Sequence, residues 1–292
     1  MNRYLLEIGV EELPSRFVNL AIEQIREKTE QALNENDIKF GNLEIYATPR
    51  RLALFINDIR ERQDNISKEV KGPAVKIAFD KDGNPTKPLE GFMKAQNINL
   101  SNIEKRNIKG NEYIFAVIEK KGEETREVLK TIIPDMIRHI NLPRNMRWGG
   151  KNLRFPRPIR WVLSLFNDSV VEFPFEGIEV SNISKGHRFL GSDHIILDKV
   201  DNYMKLLEDN YVIVDQNRRE EIINFESKKI ARSLGGEIKE NKELLEELVY
   251  IVEYPTPIKG KIKDEFLILP KEVITTTTVS YTHLTLPTTP YV

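Results

Sequence analysis

The sequence predicts an α+β fold: mixed strands and helices in two packed subdomains, not doubly wound. Three observations predict it. Short apolar or alternating runs of strand length occur at Tyr4–Ile8, Leu43–Ala47, Leu52–Ile59, Glu112–Glu119 and Trp161–Phe166. Longer stretches with apolar residues three and four apart begin near residues 15, 125, 217 and 241. The two kinds do not alternate in the strict rhythm that a parallel sheet with crossover helices requires.

Taken in order, Tyr4–Ile8 is bounded by Gly9 and reads as a strand. Pro14 and Ser15 open a helix with Ser15 as N-cap, and Val18, Ala21, Ile22, Ile25 and Leu33 form its apolar stripe. Leu43–Ala47 and Leu52–Ile59 are strands on either side of the turn Thr48-Pro49-Arg50-Arg51. The charged residues 60–71 predict a surface loop or helix. The turn-forming stretch 79–91 predicts a loop, and Phe92–Asn97 a short helix. Glu112–Glu119 is a strand ending at Lys121-Gly122. The set Val128, Leu129, Ile132, Ile133, Met136, Ile137 and Ile140 predicts a helix over 125–140, kinked or broken at Pro134. Trp161–Phe166 and Val170–Phe175 predict two strands joined by Asn167-Asp168. A helix over 217–234 closes at Gly235-Gly236, and another over 241–253 stops before Pro255.

The expected organisation is an N-terminal α+β subdomain over 1–140 and a second α+β subdomain, carrying a basic segment, over 141–276. Eight of the last eighteen residues are threonine and no charged residue follows Glu272, in a chain that is 30% charged. Residues 277–292 are therefore expected to be a non-native or disordered tail.

Lys+Arg 44 against Asp+Glu 45 gives a net charge of −1 over 292 residues. That balance excludes a domain that coats nucleic acid indiscriminately and leaves room for a local basic patch. The chain has no cysteine, which removes disulfides, thiolate zinc sites and cysteine nucleophiles. The opening MNRYLLEIGVEELP does not read as a signal peptide, and no apolar run approaches a membrane span, so a cytoplasmic protein is expected. The four histidines, His139, His187, His194 and His283, lack metal-site spacing, and no phosphate-cradling loop or nucleophile elbow occurs. No residue is therefore assigned a catalytic role, and no metal or cofactor site is expected in this chain. Glu7, Glu11 and Glu12 form a carboxylate cluster, but Glu11 and Glu12 lie just ahead of a helix, where negative charge meets the positive end of its dipole. Their expected role is structural.

The candidate binding feature is NMRWGGKNLRFPRPIRW at 145–161, within a span free of acid between Asp135 and Asp168. Pro156 and Pro158 exclude a helix and push Phe155 and Arg157 into extended geometry. In a polyproline-like conformation Arg154, Arg157 and Arg160 would share one edge, roughly 9 Å apart. Arg144, Arg147 and Lys151 extend the zone; Trp148, Phe155 and Trp161 offer stacking faces, although Trp161 is itself expected in the core. ISKGHRFLG at 183–191 adds Lys185, His187 and Arg188, and Arg50 and Arg51 supply two further cations. From composition alone, nucleic-acid contact and a protein interface remain equally open.

Six motifs in order resemble the beta subunit family of the bacterial heterotetrameric glycine–tRNA ligase: EIGVEELPSRFV, ATPRRLAL, KGPAVKIAFDKDGNPTKPLEGF, MRWGGKNLRFPRPIRWVLSL, SKGHRFLG and LLEELVYIVEYPTPIKGKIKDEFLILPKEVI. The resemblance implies an accessory subunit in an α₂β₂ tetramer. Its partners would be the alpha subunit and tRNA-Gly, with ATP and magnesium used at the alpha subunit. The sequence departs from the family's pattern after Thr276, so native sequence is expected to end there, short of the family's anticodon-binding region. Two other classes stay open: a purely structural assembly module without RNA contact, and a domain that hydrolyses mischarged aminoacyl esters.

Overall fold

The computed structural model describes residues 2–274, apart from 81, 82, 97, 109, 110, 150–152, 239 and 261. The fold class is α+β. In chain order the elements are β1 (Arg3–Val10), α1 (Ser15–Glu35), β2 (Leu43–Thr48), β3 (Arg51–Asn57), β4 (Ile66–Ala74), α2 (Val75–Ala78) and α3 (Lys87–Gln96). They continue with β5 (Ile103–Ile108), β6 (Asn111–Lys120), α4 (Thr125–Arg138), β7 (Met146–Arg147), β8 (Arg154–Phe155), β9 (Ile159–Phe166) and β10 (Ser169–Val170). Last come β11 (Val180–Ser181), β12 (Ile183–Ser184), β13 (Ile195–Ile196), α5 (Tyr203–Glu208), α6 (Gln216–Ser233) and α7 (Lys242–Ile251).

The central sheet runs β10-β9-β1-β3-β2, with β11 added parallel to β9 and all other pairs antiparallel. Because β9 lies directly beside β1, this sheet draws strands from both sides of residue 140. Side chains alternate across a strand. On β1 the even set Tyr4, Leu6, Ile8 and Val10 packs in one core with Val18, Ala21 and Ile25 of α1, Leu129, Ile133 and Ile137 of α4, and Val249 and Tyr250 of α7. The odd set faces a second layer, where Leu5 joins Ala53, Phe55, Leu163, Leu165, Tyr203, Leu207 and Val212. Burial on both faces explains why β1 reads as one unbroken apolar run rather than as an alternation.

A smaller sheet, β4-β6-β5, carries its own core of Ala78, Leu89 and Ile114 under α2 and α3. Its outer strands escape sequence reading. β5 is largely exposed, and β4 lies in the charged stretch expected to be loop or helix. Each is held by its ladder to β6, whose Ile114 and Ala116 are buried, so pairing overrides composition.

Other expectations need correction. Ser15 is the first helical residue, not the cap; Pro14 precedes it and no side chain caps the helix. Helix α3 begins at Lys87, inside the expected loop, since Pro88 is tolerated in a first turn and Leu89 is buried. Helix α4 runs unbroken through Pro134, with Ile133, Pro134, Met136 and Ile137 all buried. Val171, Phe173 and Phe175 alternate into the core as a strand would, yet only Ser169–Val170 pairs with β9. The close of α6 matches expectation: Gly235 has φ 69°, and the Gly235 and Gly236 amides bond back to Arg232 and Ala231.

Candidate functional site

The inner end of the odd sheet face is polar. Register places Glu7 opposite Leu163 and Gly9 opposite both Arg51 and Trp161, so these residues share the side that carries Leu5 and Phe55. Gly9 is required there: a Cβ would lie 1.9 Å from Trp161 ring atoms, so the indole crosses a strand bare of side chain. Trp161 is buried, as expected, and its Nε1 donates to Glu7. Glu7 also accepts from the Ser184 hydroxyl at 2.8 and 3.0 Å and from the Tyr203 hydroxyl, and lies 3.7 Å from Arg51.

Arg51 is fully buried. Its Nη2 and Nε donate to Glu253 Oε1 at 3.0 and 3.2 Å. Burial works to lower its pKa, but Glu253 and Glu7 outweigh that and raise it. The same balance acts on Glu253: burial pushes its carboxyl up, while Arg51, the Thr48 hydroxyl at 2.8 Å and Arg50 hold it below its ordinary value. Burial, then the neighbouring Glu7, raises Tyr203 well above the usual phenol range. The carboxylate of Glu253 arrives from the far end of the chain, just beyond α7. Arg219 anchors that end: it is buried, donates to the carbonyls of Ala47, Ile213, Val214 and Val249, and is lowered by burial to about 10. Unlike the rim arginines, Arg51 presents no surface to a partner: it is fully buried, and its Nε and Nη2 bond Glu253 while its Nη1 lies 3.5 Å from the Ser184 hydroxyl.

The outer rim is different. Arg147 and Arg154 face each other across the two-residue ladder β7–β8, and both are exposed. The basic run is therefore a small hairpin followed by an extended stretch, not one continuous polyproline edge. Arg157 is exposed and donates to the Glu12 carbonyl at 3.0 Å. Arg160 sits at a bulge, where Ile159 pairs with Val10 and Trp161 with Gly9, and reaches Glu11 at 3.4 Å. Arg188 reaches Glu11 at 2.6 Å and Glu12 at 3.5 Å. Glu11 and Glu12 therefore join the basic run to the 184–191 loop, a role their spacing before α1 did not reveal.

Between rim and interior lie Arg50, Lys185 and His187. Arg50 is largely covered; burial, then repulsion from Arg51 and Arg188, lowers its pKa against the pull of Glu253 at 3.6 Å. Lys185 Nζ lies 5.7 Å from the Trp161 ring centroid. Burial, with Arg50 and Arg51, holds the His187 imidazole below its ordinary value. Lys151 lies outside the described residues. Of the expected stacking faces, Trp161 lies in the core as anticipated, but Phe155 is also buried and Trp148 is half-buried, its Nε1 donating to the Phe155 carbonyl at 2.8 Å. The open aromatic in this region is Phe189, 85% exposed. Among the described residues no group of three or more His, Asp or Glu side chains is placed to hold a metal ion, and no helix is long and apolar enough to cross a membrane.

Residues 4–283 match the family model described as glycyl-tRNA synthetase beta subunit. The chain belongs to that family. It is 48% identical over 277 residues to the glycine–tRNA ligase beta subunit of Clostridioides difficile (strain 630), covering 94% of this chain and 40% of that protein. It is 41% identical over 277 residues to the beta subunit of Thermodesulfovibrio yellowstonii, and 39% identical over 273 residues to that of Bacillus subtilis (strain 168), with the same shares of each chain covered. The chain thus spans about 40% of the length of these relatives. Glu7, Thr48, Arg51, Trp161, Ser184 and Glu253 all fall within the matched residues.

Proposed function

We propose that this chain is a non-catalytic part of the glycine–tRNA ligase assembly, supporting ATP-dependent attachment of glycine to tRNA-Gly. The assembly is an α₂β₂ tetramer in the cytoplasm, with ATP and magnesium at the alpha subunit. This chain contributes a contact surface: Arg147, Arg154, Arg157, Arg160 and Arg188 present guanidinium groups to tRNA phosphates, and the same face borders the alpha subunit. Guanidinium forks suit phosphate oxygens because two parallel N–H donors meet two acceptor oxygens.

The observation that carries this reading is the exposed arginine rim around Glu11 and Glu12, on a chain whose net charge is only −1. A surplus of cations held at one rim, rather than scattered, concentrates positive potential where a polyanion would dock. The test is charge reversal of Arg154 and Arg157 together, followed by tRNA-Gly affinity across a salt series and by co-purification with an alpha subunit. RNA affinity should fall, and the slope of log affinity against log salt should shrink by about 0.7–0.9 for each phosphate that the variant no longer neutralises. Unchanged RNA affinity with no alpha-subunit binding would replace this reading with a pure assembly role.

A further inference from the structure

The loop between β12 and β13 is built as a pedestal. Gly186 N–H donates to the Ser192 carbonyl at 2.6 Å, His187 N–H to the Asn210 carbonyl at 3.0 Å, and Gly191 N–H to the His187 carbonyl at 2.9 Å. The His187 Nδ1 accepts from the backbone N–H of both Phe189 and Leu190 at 3.3 Å. Gly186 and Gly191 let the loop close on Asn210: a Cβ on Gly191 would come within 2.4 Å of the Asn210 carbonyl oxygen. The product of this internal bonding is a phenyl ring left in solvent, with the His187 ring 6.2 Å away. A turn already held by its own hydrogen bonds presents this aromatic at little further ordering cost to a ligand.

The charges around the ring narrow the choice of partner. Arg188, the chain neighbour of Phe189, pairs with the carboxylates of Glu11 and Glu12, Arg160 pairs with Glu11, and Arg157 donates to the Glu12 carbonyl, so three guanidinium groups meet two carboxylates on this rim. An aromatic face flanked by cations matches a nucleobase flanked by phosphates. The base must be unpaired, since a base inside a duplex has both faces already stacked. We propose that Phe189 is a stacking platform for an unpaired RNA base, with the neighbouring phosphates held by Arg188 and Arg160. This inference rests on the reading that the basic rim contacts RNA, and it adds which feature of the RNA is recognised.

The test uses the 292-residue chain with a short fluorescent single-stranded RNA, and the same sequence as a duplex. Phe189→Ala and Phe189→Leu should each weaken single-strand binding at least about fivefold, while Phe189→Trp retains it and duplex binding stays unchanged. The leucine variant is decisive because it keeps apolar bulk and removes the π face. Phe189 is exposed, so all three variants should unfold at the wild-type denaturant midpoint. Wild-type binding by Phe189→Leu, or equal losses for duplex and single strand, would overturn the platform. So would loss of alpha-subunit binding in Phe189→Ala with RNA affinity intact, which would make the ring a protein anchor. If the Arg154 and Arg157 reversals abolish RNA binding while Phe189→Leu does not, only the platform falls. Failure of the wild-type chain to bind either RNA would remove the basic-rim reading beneath it.

Discussion

Arg51 and Arg188 each engage two carboxylates through their guanidinium groups, and their surroundings give the same chemistry opposite uses. Arg51 is sealed between Glu7 and Glu253, reached by residues from both ends of the chain, and no part of it meets solvent. Arg188 is 41% exposed and pairs with Glu11 and Glu12 at the surface. In the interior the charges cannot be released to water, so the network holds the fold in one arrangement. At the rim each pair is nearly balanced against hydration, so a phosphate can replace a carboxylate at little cost. An arginine in a sequence therefore says little about binding until its burial is known.

The sharpest way to break this comparison is Arg51→Met. It leaves Glu7 buried without its cation and Glu253 with Arg50 alone, and should cost about 3–5 kcal/mol by chemical denaturation. A loss as small as a surface substitution gives would show the network is not structural. Gly9→Ala should cost about 1–3 kcal/mol by the same measurement, because the new methyl group displaces Trp161 from the position in which it bonds Glu7.

A pH titration separates the two regions. His187 has a folded-state pKa below its ordinary 6.5, so its contribution to the loop is complete above that value and declines as pH falls through the lowered one, when Nδ1 can no longer accept. Glu253, depressed below 4.5, contributes fully above 4.5 and loses its contribution only in stronger acid. Amide exchange at Phe189 and Leu190 should therefore rise at a higher pH than global unfolding begins. Coincident transitions would show the loop and the network to be one unit. The smallest expected effect on stability is at the rim. Glu11→Gln should shift it by less than about 1 kcal/mol, yet raise RNA affinity by freeing Arg160 and Arg188. Unchanged or weaker RNA binding would mean that Glu11 positions these arginines instead of competing with phosphate for them.

Much of this molecule is legible along the chain. The helices α1, α4, α6 and α7 follow from stripes of apolar residues, because a helix repeats its inward face within a few neighbours. The hairpin β2–β3 and the strand β6 follow from alternation and turn residues. The six ordered motifs carry the family, and the acid-free run carries the exposed rim. What stays hidden is whatever depends on pairing. β4 and β5 are polar strands that exist only because β6 lies between them, and Val171–Phe175 has strand alternation without a ladder, its one bridge being Phe175 to Ile178.

The candidate site divides in the same way. Exposure of Arg147, Arg154, Arg157 and Arg160 could be read from prolines and the absence of nearby acid. The burial of Arg51, one residue from the largely covered Arg50, could not, since Glu7 and Glu253 stand 44 and 202 residues away from it in sequence. The sequence by itself determined the kinds of element, the family and the presence of a cationic segment, since these rest on local periodicity and ordered motifs. Tertiary structure alone decided which arginines are consumed inside and which remain available. Burial and charge pairing are set by residues that meet only after the sheet has brought β1, β3 and β9 side by side.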